Sequence, residues 1–279
     1  PLSFGKNTKS FINNMKFSKS HNEQVTKKIK SFYQSGAWFN RQNLHTGKPI
    51  LSKEKTKKLL NISNNKKIAV IFSHIFYDAT LFYGKSLFTD YRTWLLETIK
   101  FAIENENLNW FIKVHPVNIW RSKMDNKPVE QLEEELVRRE IGRLPNHIKI
   151  IKADSKINTF SLFELIDYGL TVRGTIGMEL PCWGVPVITA GTGRYDKNGF
   201  TIDPANVDEF GQIIKNLHNL DKLNPKQIEA ARKYVWAVMF LKQVRIKSLI
   251  LNYKKKKMFT NDIAFDTSIN AEFSKNKEF

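Results

Sequence analysis

The sequence has a single cysteine, Cys182, among 279 residues. No intrachain disulfide and no cysteine-rich zinc site can be built from it, and a reducing compartment suits it. Long apolar runs are also missing: the longest, such as 68–72 and 185–190, are strand-sized, far short of the roughly 20 residues that span a bilayer. Acidic charge is scarce, with 27 Asp and Glu against 45 Lys and Arg, a formal net charge of +18. Zinc-finger, RRM-like and P-loop patterns are absent, so specific binding of nucleic acid is not expected. An Asp-x-Asp metal motif is absent as well.

What is present is an ordinary globular composition, 41% hydrophobic and 26% charged. The positive excess gathers in Lys27-Lys28-Ile29-Lys30, Lys53 to Lys58 and Lys254 to Lys257. A solvated lysine-rich surface accounts for it, and so does an anionic inner-membrane surface or a phosphate-bearing substrate.

Residues 1–65 are polar and read as a connector with one or two helices, one over 21–33 and one from a Ser52 cap to Leu60. From residue 66 the pattern changes. Short apolar runs at 67–73, 109–114, 147–151, 168–173 and 186–190 read as buried strands. Helical segments separate them at about 90–104, 129–141, 158–166 and from Gly177. That alternation predicts an α/β fold, a Rossmann-like parallel sheet flanked by helices, over 66–258. Two further helices are expected at 207–217 and 225–253, with a polar tail over 259–279.

Ligands of such sheets bind at the carboxyl ends of the strands. The residues that follow each strand are therefore the candidates. Ser73-His74 with Asp78 follows the first, and His74 suits acid–base work by its ordinary pKa. Lys113-Val114-His115-Pro116 ends the second, where His115 can donate to a phosphate oxygen and Lys113 can add charge. Alone, such a histidine is more often structural, but its neighbours favour function. Arg173-Gly174-Thr175-Ile176-Gly177-Met178-Glu179 follows the fourth. Gly174 and Gly177 allow a sharp turn and a close ligand, Thr175 offers a hydroxyl, and the helix that begins there aims free N–H groups at an anion. Glu179 either caps that helix or accepts ribose hydroxyls. Gly193, Arg194 and Tyr195 follow the fifth strand, as a surface turn or as an arginine site for phosphate.

These residues resemble those of the capsule-polysaccharide biosynthesis glycosyltransferases of GT-B architecture, over about Lys66 to Asp203. The anchors are Phe72-Ser73-His74 with Asp78-Ala79-Thr80, Trp94 to Thr98, Lys113-Val114-His115-Pro116 and the stretch Thr171 to Gly191. The His-Pro element is similar to that of bacterial Kdo and sialic acid transferases. Those relatives often follow it with a small residue and Glu, whereas Val117-Asn118 stands here. The resemblance implies the C-terminal, donor-binding half of a GT-B fold, with no bound cofactor or metal and a CMP-, UDP- or GDP-sugar as donor substrate. His115, Thr175 and Glu179 would face the nucleotide, and Lys113, His115, Arg173 and Arg194 are expected to stabilise the departing phosphate. A glycan or lipid-linked acceptor, a cytoplasmic setting at the inner membrane and a capsule assembly complex are the implied surroundings. With so little chain ahead of the sheet, the acceptor half is expected to be missing or reduced. A scaffold module and a sugar-nucleotide epimerase are the alternatives.

Overall fold

The computed structural model describes residues 4–35, 48–76, 84–117, 119, 126, 132–241, 251–255 and 261–265. The chain divides into two compact units, Pro1–Met239 and Phe240–Phe279.

The first unit is built on five parallel strands: β1 (Ile68–Phe72), β2 (Asn109–Lys113), β3 (Ile148–Ile151), β4 (Tyr168–Thr171) and β5 (Val187–Thr189). Their spatial order is β3-β2-β1-β4-β5. Successive crossovers run outward from β1 to β3 and then, from β4, the other way. The reversal lies between β1 and β4, which pair from Ala69↔Tyr168 to Ile71↔Leu170. A parallel sheet opens a crevice at such a reversal.

Alternate residues of each strand point to opposite faces, and both faces are covered. Val70, Phe72, Phe111 and Val187 enter one core. Ala69, Ile71, Ile112, Leu170 and Ile188 enter the other. Burial on both sides is why the strands read as unbroken apolar runs. The second core is roofed by α4 (Tyr91–Ile103), α5 (Leu132–Glu140) and α7 (Val207–Lys215), through Leu95, Ile99, Val137, Phe210 and Ile214. Caps fix where these helices start: Asp90 accepts from the Thr93 N–H at 2.8 Å and Asn206 from the Glu209 N–H at 2.8 Å.

The first core is roofed by α1 (Lys6–Asn14), α2 (Lys19–Ser35), α6 (Ile176–Glu179) and α8 (Pro225–Trp236). Ser52 caps α3 (Lys53–Leu59) as expected. Residues 1–65, expected as a connector, thus carry three helices, and two of them belong to the sheet unit's own core. The physical reason is apolar spacing within a polar segment: Val25, Ile29 and Tyr33 recur every four residues and are all buried. Arg232 of α8 fastens this layer, donating to the Asn22 carbonyl and to the Cys182 carbonyl, both at 2.8 Å.

The last long helix is shorter than the sequence suggests. After α8 a π-helical turn covers Ala237–Leu241, and β6 (Leu251–Lys255) pairs with β7 (Asn261–Phe265) in the second unit. In the sequence Leu251 and Tyr253 alternate with polar residues, a strand period and not a helical one, and the antiparallel register runs from Leu251↔Phe265 to Lys255↔Asn261.

Candidate functional site

The crevice between β1 and β4 is closed by one side chain from each. The Thr171 hydroxyl lies 2.9 Å from His74 Nε2, and the Val172 N–H donates to the same nitrogen at 3.0 Å. A ring nitrogen that receives a backbone N–H is unprotonated, so the His74 proton sits on Nδ1. Thr171 Oγ1 also accepts the Gly174 N–H at 3.1 Å. Thr171 therefore donates to His74 and shapes the turn after β4; its role was invisible in the sequence.

His74 is stacked on Tyr91 at 4.5 Å and lies edge-on to Trp94. Burial, then the charges of His115, Arg194 and Arg173, push its pKa down to about 3. The acid–base role expected of His74 does not suit this setting, because at neutral pH the ring carries no exchangeable charge. The same influences reveal what surrounds it. Two arginines, Arg173 after β4 and Arg194 after β5, and the His115 ring after β2 thus act on the end of β1.

His115 is half-buried, and its Nδ1 accepts the Val117 N–H at 3.2 Å. That bond leaves the ring proton on Nε2, the tautomer a phosphate oxygen needs. Its own N–H is held at 3.0 Å by Ser73 Oγ, which in turn donates to Glu133 at 3.0 Å. Burial raises the Glu133 pKa. Lys113, expected to reach a ligand, is instead only 5% exposed, and its Nζ donates to the Val114 carbonyl at 3.2 Å. Burial and the nearby Lys48 push it down to about 7, with Glu133 opposing.

The turn after β4 differs in mechanism from the sequence reading. Neither Gly174 nor Gly177 has a positive φ. Gly177 is needed for space: an added Cβ would lie 2.0 Å from the Tyr195 hydroxyl, which donates to the Gly174 carbonyl at 2.6 Å. The helix that opens here, α6, has four residues and passes into a 3-10 turn at Pro181. Its dipole is correspondingly small. Two donors remain, since among the described residues the N–H groups of Thr175 and Ile176 make no hydrogen bond. The half-buried Thr175 side chain caps nothing.

Two expected ligand contacts are engaged within the protein. Arg173 is 2% exposed, and its guanidinium donates to Gly84 O at 3.4 Å and to Ser86 Oγ, holding the segment before α4. Glu179 is fully buried, where the Tyr33 hydroxyl donates to its carboxylate. Burial pushes Glu179 up to about 7, while its bonds to Tyr33 and Thr175 act against the rise. Arg194 is half-buried in the loop after β5. Gly193 begins that loop at φ +96°, a conformation that favours glycine. Asp196 ties it by accepting from the N–H groups of Gly193 and Arg194. Asp78 lies outside the described residues. Among the described residues no three His, Cys, Asp or Glu side chains gather as metal ligands.

The site is thus a cationic crevice at the sheet's reversal, framed by the strand ends that the sequence singled out. The family profile described as "Capsule polysaccharide biosynthesis protein" matches residues 3–245. The chain belongs to that family. Among solved structures, this capsule-synthesis chain resembles the beta Kdo 2,4 transferase of Thermosulfurimonas dismutans KpsC: 16% identity, TM-score 0.43, over 81% of this chain and 59% of that one. The beta Kdo 2,7 transferase of the same protein gives 17% identity and TM-score 0.42, over 84% of this chain and 59% of that one. The UDP-GlcNAc 2-epimerase of Neisseria meningitidis, bound to UDP-GlcNAc, gives 14% identity and TM-score 0.42, over 78% of this chain and 52% of that one. The capsule-synthesis chain therefore spans between half and three fifths of the length of these three structures. No curated protein matches its sequence. No helix among its described residues is long and apolar enough to cross a membrane.

Proposed function

We propose that this chain is the donor-binding half of a GT-B glycosyltransferase, moving a sugar from a nucleotide-sugar onto a growing capsular or other surface polysaccharide. The observation that carries the reading is the set of donors at the sheet's reversal: the His115 ring after β2, the Thr175 and Ile176 N–H groups after β4, and Arg194 in the loop after β5. A glycosyl transfer of this kind leaves a nucleotide phosphate, and preorganised donors aimed at that charge lower the barrier. His115 Nε2–H, the Thr175 and Ile176 N–H groups and the Arg194 guanidinium are the candidate donors. His74, Thr171, Tyr195 and Arg173 hold the backbone that presents them. This arrangement stabilises a leaving phosphate with protein groups, and it fits a CMP-, UDP- or GDP-sugar alike. The acceptor, glycan or lipid-linked, would approach from a second domain or a partner subunit. A cytoplasmic setting, with the lysine-rich surface on an anionic membrane, fits the charge.

The test is a thermal-shift panel of the protein against CMP, UDP, GDP and ADP, repeated on His115→Ala. One nucleotide should raise the melting temperature by several degrees, and the variant should lose that rise. A response unchanged in His115→Ala would remove His115 from the site. No response to any nucleotide would overturn donor binding by this chain and favour a scaffold role.

A further inference from the structure

A pocket of about 220 Å3 opens between α1, α8 and the loop after β5, away from the strand-end crevice. One wall is a single face of α8, where Lys226, Glu229 and Lys233 recur at helical spacing. The other is α1, which contributes Lys9 and Asn13, and Asn198 of the loop stands at the side. Lys233 and Glu229 pair at 2.9 Å. Lys9 and Lys226 have no acidic partner among the described residues, so the lining carries an excess of two positive charges. Two side-chain amides and two unpaired ammonium groups around one small cavity are a mixed hydroxyl-and-anion recognition set.

The space, lined by four charged side chains and two amides, has room for at least one sugar ring. The base of the pocket touches the loop after β5. Tyr234 lines it, packs edge-on against Phe4 and donates to the Arg194 carbonyl at 2.7 Å. Asn198 donates to the carbonyls of Tyr195 and Asp196 at 2.7 and 2.9 Å. A ligand here presses on the loop that carries Arg194.

We propose that this pocket binds one acidic monosaccharide unit, a sugar ring bearing a carboxylate or a phosphate. Lys9 and Lys226 take the anionic group, Asn13 takes a ring hydroxyl, and Asn198, whose amide N–H groups are engaged, accepts from another through Oδ1. Binding itself is independent of the glycosyl-transfer reading.

The test is calorimetric titration of the whole chain, at low salt, with methyl glucuronoside and with glucose 6-phosphate, against methyl glucoside and inorganic phosphate. At least one acidic sugar should bind tenfold or more tighter than both controls. The double variant Lys9→Gln/Lys226→Gln, at two exposed positions, should weaken it at least fivefold with an unchanged melting temperature. A carboxylate-only or phosphate-only response names the anionic group. Equal binding of inorganic phosphate, binding that survives the double variant, or no binding of either acidic sugar overturns the proposal. Because the nucleotide panel is measured separately, a silent nucleotide site with a responsive pocket would sink the donor reading and leave this one standing.

Discussion

The Tyr33 hydroxyl of α2 donates to the carboxylate of Glu179 at the end of α6, 146 residues further along the chain. A buried acid is thereby sealed by a helix that the sequence presents as a polar connector. Tyr33→Phe removes the donor without changing the shape. It should cost about 1–3 kcal/mol, the usual penalty for a buried acceptor left unpaired. It should also push the Glu179 pKa further up, because the Tyr33 bond holds it down. Urea unfolding at several pH values reads both effects, and unchanged stability would mean that the carboxylate finds another donor.

Stability should respond to pH through two opposing groups. Glu179 lies at about 7 in the fold against an ordinary 4.5. Between those values the folded chain keeps a proton that the unfolded chain has lost, so this contribution is full below 4.5 and is lost as pH rises through 7. His74 lies at about 3 against 6.5, and there the unfolded chain binds the extra proton, so stability rises with pH over that range. Glu179→Gln should abolish the falling contribution, worth about 3 kcal/mol. Melting temperatures of the variant should then climb from pH 3 to 6.5 and rise again above 7, where the unfolded chain binds a proton at Lys113 that the buried side chain has lost. A profile that still falls between pH 5 and 7 would contradict the assignment.

Gly177→Ala should be poorly tolerated for a reason of space. Its Cβ would need the position of the Tyr195 hydroxyl. Displacing that ring breaks the bond to Gly174, at a cost of about 1–3 kcal/mol. In a Tyr195→Ala background the same substitution should be nearly free. A double-mutant cycle measures the difference, and additive effects would refute the steric account.

Arg232 ties α2 to α8 and to the 3-10 turn at Cys182 through Asn22, Thr26 and the Cys182 carbonyl. Arg232→Met should destabilise by about 3 kcal/mol, since charge-assisted bonds to buried acceptors are lost. Lysine should recover little, because it lacks the planar fork. Denaturant unfolding of both variants checks this; wild-type stability in Arg232→Met would detach α2 from the folded unit's cohesion.

The sheet was legible because burial on both faces leaves an apolar run that polar segments bracket, as in Ile68–Phe72 and Val187–Thr189. The strand-end clusters followed from topology, and His115 and Arg194 do gather near His74. What could not be read joins segments far apart in the chain. Tyr33 on Glu179, Lys48 near Lys113 and the Arg232 bonds each need a packed third dimension. The turn after β4 misled for a local reason. Glycines there suggested backbone freedom, whereas Gly177 makes room for an aromatic ring and Pro181 stops α6 after one turn. Arg173 was read as a partner of the departing phosphate and not as a clamp, since its partners at Gly84 and Ser86 precede it by almost ninety residues.

The bond between Arg232 and Asn22 closes a loop of 210 residues. During synthesis, α2 emerges long before the helix that covers it. Its apolar stripe of Val25, Ile29 and Tyr33 must wait through the making of the whole sheet. Non-local closure of this kind slows folding and exposes sticky surface on the way. The nascent chain is therefore at its most vulnerable to aggregation late, after the sheet is assembled and before residue 232 has left the ribosome.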